Sequence, residues 1–515
     1  MMIIKSGFLF PYGKVCVQTK TVLTAVKKNE CAMYLLCDDW VKQELSDFFS
    51  FYAKGYEYSP LFKAKKWNGK IYLYKMKSST LPTGLIGHLK KFCSERDIVC
   101  DIQDGLDLAD EFSEGEAKEF IKQLSLDKYD ERDYQLSAFI KAIRYKKALF
   151  LSPTSSGKSL IIYLIARYLL ATNCKRGLII VPTISLTDQM CGDFADYAKD
   201  SGWDAGANCQ IIRQGFTKDI HAELTISTWQ SIYELPKKYF EQFDFVIGDE
   251  CHLFTAKSLG GIMGKLVNAK YRIGTTGTIE ETQVNKLTLE GHFGPLVKVI
   301  TTKELMDRGE IAELDIKCIV LKYPPHICEI SKSLEYQQEM DLIVHNQARL
   351  KFVTNLASDL KGNTLLLFQY VEKHGKILYN MIVEKNKLHK NRKIFFVYGG
   401  TDADQRNEVR RITEQEEDAI IVASYGVFST GVNIKRLHNI IFASPSKSKI
   451  RNLQSIGRGL RLGDGKQKAT LYDISDDLRI DKHINFTMQH YAERVKIYHA
   501  EKFKISTYRV DLKNG

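Results

Sequence analysis

Short apolar runs alternate with longer amphipathic stretches from about residue 130 onward, and this alternation limits the possible folds more than any other feature. The runs stand at residues 148–151, 178–181, 243–247 and 271–273, and after a gap between about 300 and 360 they return at 364–368, 394–397, 419–423, 440–442 and 470–472. Continuous apolar, β-branched runs are typical of strands buried on both faces of a parallel sheet. Helix-length spacers between them favour βαβ units. We therefore predict two tandem α/β domains, each with a parallel sheet.

The two ends of the chain differ from this pattern. Residues 1–112 mix short strand-like and helix-like stretches, which predicts a small α+β domain. Residues 54–91 hold nine lysines and one acid, whereas residues 101–131 hold eleven acids and three lysines. An abrupt change of charge often marks a boundary, so we predict the two α/β domains at 113–310 and 311–482. Residues 483–515 are predicted to form a short helical C-terminal extension.

Composition excludes several classes of protein. Hydrophobic residues make up 44% and charged residues 26% of the 515 residues, as in ordinary folded chains. The sequence has neither an apolar run of the roughly 18 residues that a membrane span needs nor a secretory signal pattern. The eleven cysteines are scattered without a Cys-x-x-Cys pair, which favours reduced thiols in a cytoplasm over disulfides or zinc. The net charge of +12 suits a polyanionic partner.

The run at residues 148–151 leads into a predicted phosphate-binding loop. Residues 152–159 read Ser-Pro-Thr-Ser-Ser-Gly-Lys-Ser, which matches the pattern G-x-x-x-x-G-K-[ST] except that Ser152 replaces the first glycine. Small residues let backbone N–H groups curl around phosphates, and the helix that follows adds a favourable field. Lys158 is expected to reach the β- and γ-phosphates of ATP, and Ser159 to bind Mg²⁺. The predicted nucleotide-binding residues of the loop are Thr154, Ser155, Ser156, Gly157, Lys158 and Ser159.

Two further patterns complete a predicted ATP hydrolase. About ninety residues after the loop, an apolar run ends in Asp249-Glu250. We expect Asp249 to complete the Mg²⁺ coordination and Glu250 to activate the attacking water. In the second α/β domain, residues 454–461 fit Q-x-x-G-R-x-x-R. Planar guanidinium groups three residues apart suit the charge that develops on a transferring γ-phosphoryl group. The predicted catalytic residues from this domain are Gln454, Arg458 and Arg461.

The ordered set of motifs resembles the superfamily-two helicases, which implies two RecA-like domains with ATP between them. In this resemblance, Gln135 corresponds to an adenine-reading glutamine. Residues 181–189 and 227–230 correspond to segments that contact the nucleic-acid backbone, and residues 274–278 and 429–434 to two later motifs. Asn433 and the Thr-Gly-Thr at 276–278 depart from the commoner residues. The resemblance implies backbone contacts through Thr183 and Thr228 in one domain and through Gly400 and Thr430 in the other.

A closer resemblance, to the UvsW helicases of T-even phages, runs nearly from end to end. It is carried by residues 48–51, 55–56, 67–70, 81–85, 423–431 and 447–450. It implies a helicase of recombination, repair and replication control that regresses forks, migrates junctions, unwinds RNA–DNA hybrids and anneals complementary strands. Implied partners are branched or forked DNA, single-stranded DNA, RNA–DNA hybrids, and single-strand-binding or recombination proteins. We expect a monomer in the host-cell cytoplasm.

The basic segment at residues 54–91 is a candidate nucleic-acid surface. Tyrosines and a tryptophan interleave with its lysines, so the lysines are expected to hold phosphates while some aromatic rings stack on bases. We expect Lys63, Lys65 and Lys66 to bind DNA. In the alternative interpretation, the lysines form a solvated face and the aromatics Tyr56, Tyr58, Trp67, Tyr72 and Tyr74 form a core.

Three other functions fit parts of the sequence. The motor subunit of a restriction system shares the motifs, but we find no nuclease pattern of the form P-D…(D/E)-x-K. A nucleic-acid-binding adaptor with a vestigial ATPase core is expected to have lost Lys158, Glu250 or Arg461, and this chain keeps all three. An RNA helicase stays open, although Asp-Glu-Cys-His in place of Asp-Glu-Ala-Asp favours DNA.

Overall fold

Two large parallel sheets and two smaller sheets organise the part of the chain that the structure describes. The structure is a computed structural model, and it describes residues 20–53, 55–103, 105–106, 109–126, 131–153, 155–213, 218–252, 257–277, 283–387, 392–430, 436–444 and 468–512. None of the helices within these ranges is both long and apolar enough to cross a membrane.

The N-terminal region forms the predicted small α+β domain. Its strands are β1 (Val22–Lys27), β2 (Ala32–Leu36), β3 (Ser50–Tyr52), β4 (Lys70–Tyr72), β5 (Thr80–Pro82) and β6 (Val99–Ile102). Four of them pair in the order β5-β2-β1-β6, and β3 and β4 form a separate antiparallel hairpin. Alternate residues of β1 and β2 are buried, and Leu23 and Met33 share an apolar core with Phe49 and Phe92. The helices of this domain are Asp39–Phe48, Pro60–Lys63 and Ile86–Glu95.

The first large domain is built on a seven-stranded parallel sheet. Its strands are β7 (Lys147–Leu151), β8 (Gly177–Val181), β9 (Cys209–Ile212), β10 (Leu224–Thr228), β11 (Phe245–Gly248), β12 (Tyr271–Thr276) and β13 (Leu296–Lys298). They lie in the order β13-β7-β12-β11-β8-β10-β9. In β7, Leu149 packs in one apolar cluster while Ala148 and Phe150 pack in another, so both faces of the sheet are covered. Continuous apolar runs are what such double burial requires.

Helices of different lengths connect and flank these strands. They are Glu114–Gln123, Asp133–Tyr145, Lys158–Thr172, Ile184–Ala198, Ala205–Asn208, Trp229–Ile232, Lys237–Phe240, Lys257–Lys265, Gln283–Phe293 and Thr302–Asp307. The first of them begins with a capping box, in which Ser113 Oγ accepts from the N–H of Glu116 and the Glu116 carboxylate accepts from the N–H of Ser113.

The second large domain repeats the architecture. Its strands are β14 (Glu313–Lys322), β15 (Thr364–Phe368), β16 (Ile394–Val397), β17 (Ile420–Ser424), β18 (Asn439–Phe442), β19 (Lys468–Asp477) and β20 (Lys504–Asp511), in the order β16-β17-β15-β18-β19-β14-β20. The described helices are Pro325–Ser331, Tyr336–His345, Gln347–Asp359, Lys376–Lys385, Ala403–Gln415, Tyr425–Thr430 and Phe486–Ala500, with a π-helix at Val371–Gly375. Two tandem parallel-sheet domains are thus confirmed.

The C-terminal segment differs in part from the predicted helix. The helix Phe486–Ala500 is present, and its Arg494 guanidinium and Tyr498 hydroxyl bind the buried Asp473 of β19. Residues 504–511, however, form the strand β20, which pairs in parallel with β14 at the edge of the second sheet. Most side chains of β20 are exposed. Backbone pairing holds this strand in place, so the apolar pattern of the sequence did not reveal it.

Polar contacts fix the small domain to the first large domain. The N–H of Glu30 donates to Val267 O at 3.1 Å. Lys147 Nζ, at the start of β7, donates to Thr83 Oγ1 at 3.0 Å and lies 3.5 Å from Glu30 Oε2. Burial lowers the pKa of Lys147 to about 8, against the attraction of Glu30. These contacts join loops of the small domain directly to the sheet of the large one.

Close backbone packing completes this joint. A Cβ atom at Gly84 would lie 2.0 Å from Glu290 O, so this position accepts only glycine without a shift of the backbone. One turn further on, His88 Nε2 lies 2.9 Å from Glu290 Oε2. At Gly87, between them, an added Cβ would meet nothing within 4 Å. The small domain therefore packs against the helix Gln283–Phe293, and Leu287 of that helix joins the core of the small domain.

Candidate active site and nucleic-acid contacts

The phosphate loop connects β7 to the helix Lys158–Thr172 at the carboxyl edge of the first sheet. Its backbone is held in left-handed conformations at Ser155 (φ +72°) and Gly157 (φ +78°). Glycine is needed at position 157, because an added Cβ there would lie 2.2 Å from Gln135 Nε2. Ser152, which replaces the first glycine of the pattern, is fully buried, and its hydroxyl lies 2.6 Å from that of Ser156. The serine thus adds a bond that stabilises the turn.

The ammonium group of Lys158 lies inside the curve of this loop. Lys158 Nζ donates to Ser152 O at 3.2 Å and lies 3.5 Å from Glu250 Oε1. Its side chain is 12% exposed, so the positive charge is concentrated where a phosphate chain meets the loop. Ser159 follows in the first turn of the helix. Thr154 lies outside the described residues.

The acidic pair follows β11, on the same edge of the sheet. Asp249 Oδ1 accepts from Thr275 Oγ1 at 2.8 Å and from the N–H of Glu250 at 2.9 Å. Burial and the neighbouring charge of Glu250 raise the pKa of Asp249, whereas Lys158 and Thr275 oppose that change. Glu250 itself has a left-handed backbone (φ +48°). This strained turn aims the two carboxylates at the phosphate loop.

Three groups surround the carboxylate of Glu250. Besides Lys158, His252 Nδ1 lies 3.5 Å from Glu250 Oε2, and the N–H of Gly277 donates to the same oxygen at 3.4 Å. Burial alone would raise the pKa of Glu250, but the Lys158 ammonium and His252 together bring it below its ordinary value. Glu250 is therefore held as a charged carboxylate beside the loop.

The segment at 274–277 contacts the acidic pair from β12. Thr275 binds Asp249 as described, and Thr276 Oγ1 lies 3.1 Å from His252 Nδ1. The N–H of Ser152 also donates to Thr276 O at 2.9 Å. The contacts of Thr275, Thr276 and His252 could not be predicted from the sequence. They depend on the parallel pairing of β12 with both β7 and β11, which no local pattern reveals.

Gln135 lies behind the phosphate loop and is 3% exposed. Its Nε2 donates to Ser156 O at 2.9 Å, and its Oε1 accepts from the N–H of Arg132 at 3.0 Å. The side-chain amide therefore links the helix Asp133–Tyr145 to the loop. The neighbouring Tyr134 contacts the same carbonyl oxygen at 3.1 Å, a contact that the sequence did not indicate.

The structure brings the first domain's candidate nucleic-acid residues to the carboxyl edge of the sheet. Thr183 follows β8, and its buried hydroxyl has no hydrogen-bond partner among the described residues. Thr228 ends β10, is 4% exposed, and its hydroxyl lies 2.9 Å from Ser231 Oγ. The Thr228 hydroxyl can donate to a phosphate while it accepts from Ser231, because a hydroxyl is both a donor and an acceptor.

The second domain presents its candidates at the corresponding edge. Gly400 is exposed after β16, and Thr430 ends the helix that follows β17. Because all seven strands are parallel, both segments lie at the carboxyl ends of adjacent strands. The side chain of Thr430 and the three residues Gln454, Arg458 and Arg461 lie outside the described part of the chain.

Lys63, Lys65 and Lys66 line a surface cleft of about 560 Å³ beside the β3–β4 hairpin. All three lysines are exposed, whereas several aromatics pack on one another. The Tyr56 ring stacks on Tyr52 at 4.6 Å and meets Phe62 at 4.8 Å.

The aromatics near this cleft have different surroundings. Trp67 Nε1 donates to Lys70 O at 2.9 Å. Tyr74 is buried in the core of the small domain, and Tyr58 is 80% exposed. Tyr74 thus belongs to the core of the small domain, as the alternative interpretation expects, whereas the ring of Tyr58 is accessible at the surface.

Comparison with known proteins gives three matching families. Residues 27–103 match the family described as DNA helicase UvsW, N-terminal. Residues 128–281 match the family Type III restriction enzyme, res subunit, and residues 348–463 the Helicase conserved C-terminal domain. The three matches follow the small domain and the two large sheets in order.

Individual relatives agree with these matches. The ATP-dependent DNA helicase uvsW of Enterobacteria phage T4 is 35% identical over 497 residues, which cover 92% of this chain and 97% of the relative. The DNA 3'-5' translocase XPB2 of Sulfurisphaera tokodaii is 24% identical over 387 residues, or 68% of this chain and 82% of the relative.

Solved structures also align with most of this chain. The crystal structure of T4 UvsW aligns with a TM-score of 0.51 at 32% identity, covering 95% of this chain and all of that one. The fragment of a putative HsdR subunit of a type I restriction enzyme from Vibrio vulnificus aligns with a TM-score of 0.56 at 19% identity, covering 82% of this chain and 74% of that one. The second likeness shows the fold alone.

Proposed function

This chain belongs to the UvsW family of ATP-dependent DNA helicases, and from that we propose that it remodels branched DNA by regressing forks and migrating junctions, unwinds RNA–DNA hybrids and anneals complementary strands. The observation that carries the proposal is the joint around Gly84 and Lys147. It ties the basic cleft of the small domain to the ATP-binding sheet, so a second DNA grip moves together with the motor. Such a grip suits a substrate with more than one duplex arm.

Four residues at the edge of the first sheet carry the proposed ATP chemistry. Lys158 binds the β- and γ-phosphates, and Glu250 orients the attacking water and accepts its proton. Lys158 has three N–H donors, so it can bind a phosphate oxygen while it stays near Glu250. The negative charge of bound ATP raises the pKa of Glu250, which makes it a better base. Ser159 and Asp249 supply a hydroxyl and a carboxylate, the oxygen ligands that Mg²⁺ prefers. A Mg²⁺ ion held by these two groups would neutralise charge on the phosphates.

The second large domain supplies the remaining catalytic groups in this proposal. Gln454, Arg458 and Arg461 reach the γ-phosphate when the two domains close, and hydrolysis releases them. The support is their sequence pattern and the likeness of residues 348–463 to the helicase C-terminal family.

We also propose domain limits at 1–112, 113–310, 311–482 and 483–515. Sheet membership supports the limit at 310, since β13 ends at Lys298 and β14 begins at Glu313. The limit at 482 does not follow a sheet boundary, because β20 pairs with β14 in the second sheet.

The DNA backbone is gripped on both large domains. Thr183 and Thr228 contact it on the first, and Gly400 and Thr430 on the second. The hydroxyl of Thr183, which has no hydrogen-bond partner in the described part of the chain, supports a phosphate contact, because leaving a buried hydroxyl unpaired is costly. Lys63, Lys65 and Lys66 hold a duplex arm. The partners we propose are forked and single-stranded DNA, RNA–DNA hybrids and single-strand-binding or recombination proteins, for a monomer in the host-cell cytoplasm.

The experiment is ATP hydrolysis measured with no addition, with single-stranded DNA, with forked DNA and with single-stranded RNA. Lys158→Ala serves as the control for contaminating activity. We expect forked DNA to stimulate turnover most strongly and the variant to lose that stimulation. Stimulation by RNA alone would support RNA remodelling instead. If no nucleic acid stimulates turnover, the adaptor alternative becomes the better account.

A further inference from the structure

One tyrosine side chain connects the phosphate loop to the second large domain. Tyr134 stands at the start of the helix Asp133–Tyr145, immediately before Gln135, and is 6% exposed. Its ring packs in the apolar cluster of the second domain, together with Leu305, Ile311 and Leu314. A residue of the first domain is thus part of the second domain's core.

The hydroxyl of Tyr134 lies between two acceptors. It is 3.1 Å from Ser156 O in the phosphate loop and 3.0 Å from Glu310 Oε2 in the segment between β13 and β14. Arg132 Nη1 donates to the hydroxyl oxygen at 2.7 Å. Burial raises the pKa of Tyr134 to about 12, so the phenol keeps its proton at neutral pH. A phenol has one proton to donate, and the two acceptors compete for it.

Charged side chains hold this segment against the helix. Arg132 Nη1 lies 3.0 Å from Glu310 Oε2, and Arg308 Nη1 lies 2.5 Å from Asp133 Oδ1. The Arg308 guanidinium lies 5.6 Å from the centroid of the Tyr134 ring. Residues 308–310 are therefore bound to residues 132–134 by two ion pairs and one shared hydroxyl.

We propose that Tyr134 is a positioning residue that couples the phosphate loop to the movement of the second domain, by transferring its hydrogen bond between Ser156 O and the Glu310 carboxylate. Gln135 donates to the same Ser156 carbonyl at 2.9 Å. The loop therefore keeps one bond when Tyr134 turns to Glu310, and its capacity to bind ATP is preserved. The segment 308–310, in contrast, is held by the tyrosine and the two ion pairs in one orientation of the hydroxyl and by the ion pairs alone in the other. This inference rests on the proposed closure of the two domains.

The test is Tyr134→Phe, which keeps the ring in its apolar cluster and removes the hydroxyl. Its matched control is Tyr163→Phe, because the Tyr163 hydroxyl is also buried but binds Arg167 within the first domain at 2.8 Å. For Tyr134→Phe, we expect the basal kcat and the KM for ATP to stay within about twofold of the parent, while stimulation by forked DNA falls about fivefold or more. Base pairs separated per ATP are expected to fall in parallel.

A second variant tests the other acceptor. Glu310→Gln keeps an acceptor oxygen but removes the charge that competes for the proton, so it is expected to reduce DNA stimulation in the same direction. The double variant is expected to lose less DNA stimulation than the sum of the two single losses, because both variants remove the same hydrogen bond while Glu310→Gln also weakens the ion pair with Arg132. Additive losses would overturn the inference.

Two further results would also overturn the proposed role of Tyr134. One is DNA stimulation in Tyr134→Phe equal to that of Tyr163→Phe. The other is an equal loss of basal and stimulated turnover, which would make the hydroxyl a structural part of the loop. Failure of the proposed function is recognised separately, because the parent protein would then show no DNA stimulation at all.

Discussion

The Lys158 ammonium lies 3.5 Å from the Glu250 carboxylate, and the two side chains come from motifs that follow different strands of the first sheet. This ion pair keeps both the Lys158 ammonium and the Glu250 carboxylate charged in a partly buried site. It also makes each of them depend on the other, since removing one leaves a buried charge without its partner.

Glu250→Gln is expected to separate ATP binding from hydrolysis. The amide keeps the shape of the side chain but cannot accept a proton from water, so we expect kcat to fall about 10²- to 10⁴-fold while ATP still binds. Rapid-mixing turnover and equilibrium binding of a fluorescent nucleotide measure the two steps. In Lys158→Ala, both binding and turnover are expected to be lost. Turnover of Glu250→Gln near the parent rate would rule out Glu250 as the base.

Lys147 is expected to make the stability of the joint depend on pH. Its pKa is about 8 in the folded protein, below the roughly 10.4 of an exposed lysine. Between these values the unfolded chain binds more protons than the folded one, so stability rises with pH. Below about pH 8, Lys147 is protonated in both the folded and the unfolded chain, so the free-energy cost of burying its charge no longer changes with pH.

Lys147→Met tests this dependence, because it removes the titrating group. Raising the pH from about 7.5 to about 9.5 should stabilise the parent relative to the variant by on the order of 2 kcal/mol. Thermal midpoints of both proteins at each pH measure the difference. A difference that does not change with pH would mean that Lys147 keeps an ordinary pKa at the joint.

The three lysines of the hairpin cleft are expected to bind phosphates. Changing Lys63, Lys65 and Lys66 to glutamate should weaken forked-DNA binding and flatten its salt dependence, by about 0.9 in the log–log slope for each phosphate that the lysines no longer neutralise. Basal ATP turnover should not change, because the cleft is remote from the phosphate loop in the chain and fold. The same change at Lys322, Lys496 and Lys504 is the control for net charge. An unaltered slope would exclude the cleft as a DNA grip.

Gly84→Ala is expected to loosen the joint between the small domain and the motor. The added Cβ would lie 2.0 Å from Glu290 O, and overpacking of this kind costs about 1–3 kcal/mol. We expect weaker stimulation by forked DNA with basal turnover retained, together with a lower melting temperature. Gly87→Ala, where the Cβ meets nothing within 4 Å, is the matched control. Identical behaviour of the two variants would show that the joint does not transmit force.

Much of the fold could be predicted because strands buried on both faces leave continuous apolar runs. The predicted strands at 364–368 and 394–397 have the bounds of β15 and β16. β14 was not predicted, since Glu313, Asp315 and Lys317 interrupt its apolar residues. β20 was not predicted because its side chains are mostly exposed and its backbone pairing leaves no pattern in the sequence.

The candidate site also has parts that a local sequence pattern predicts and parts that it does not. The residues at 152–159 and 249–250 form local motifs, so their chemistry could be predicted from spacing. The contact of Tyr134 with Glu310 joins residues 176 positions apart. They meet where the segment between β13 and β14 packs against the helix Asp133–Tyr145, and no local pattern encodes this contact.

The most direct test of the central claim uses a synthetic replication fork with labelled arms. The account predicts that ATP converts the fork into reannealed parental duplex and paired nascent strands, and that Lys158→Ala abolishes this conversion although it still binds the fork. ATP turnover stimulated by the fork without any exchange of its arms would contradict the claim.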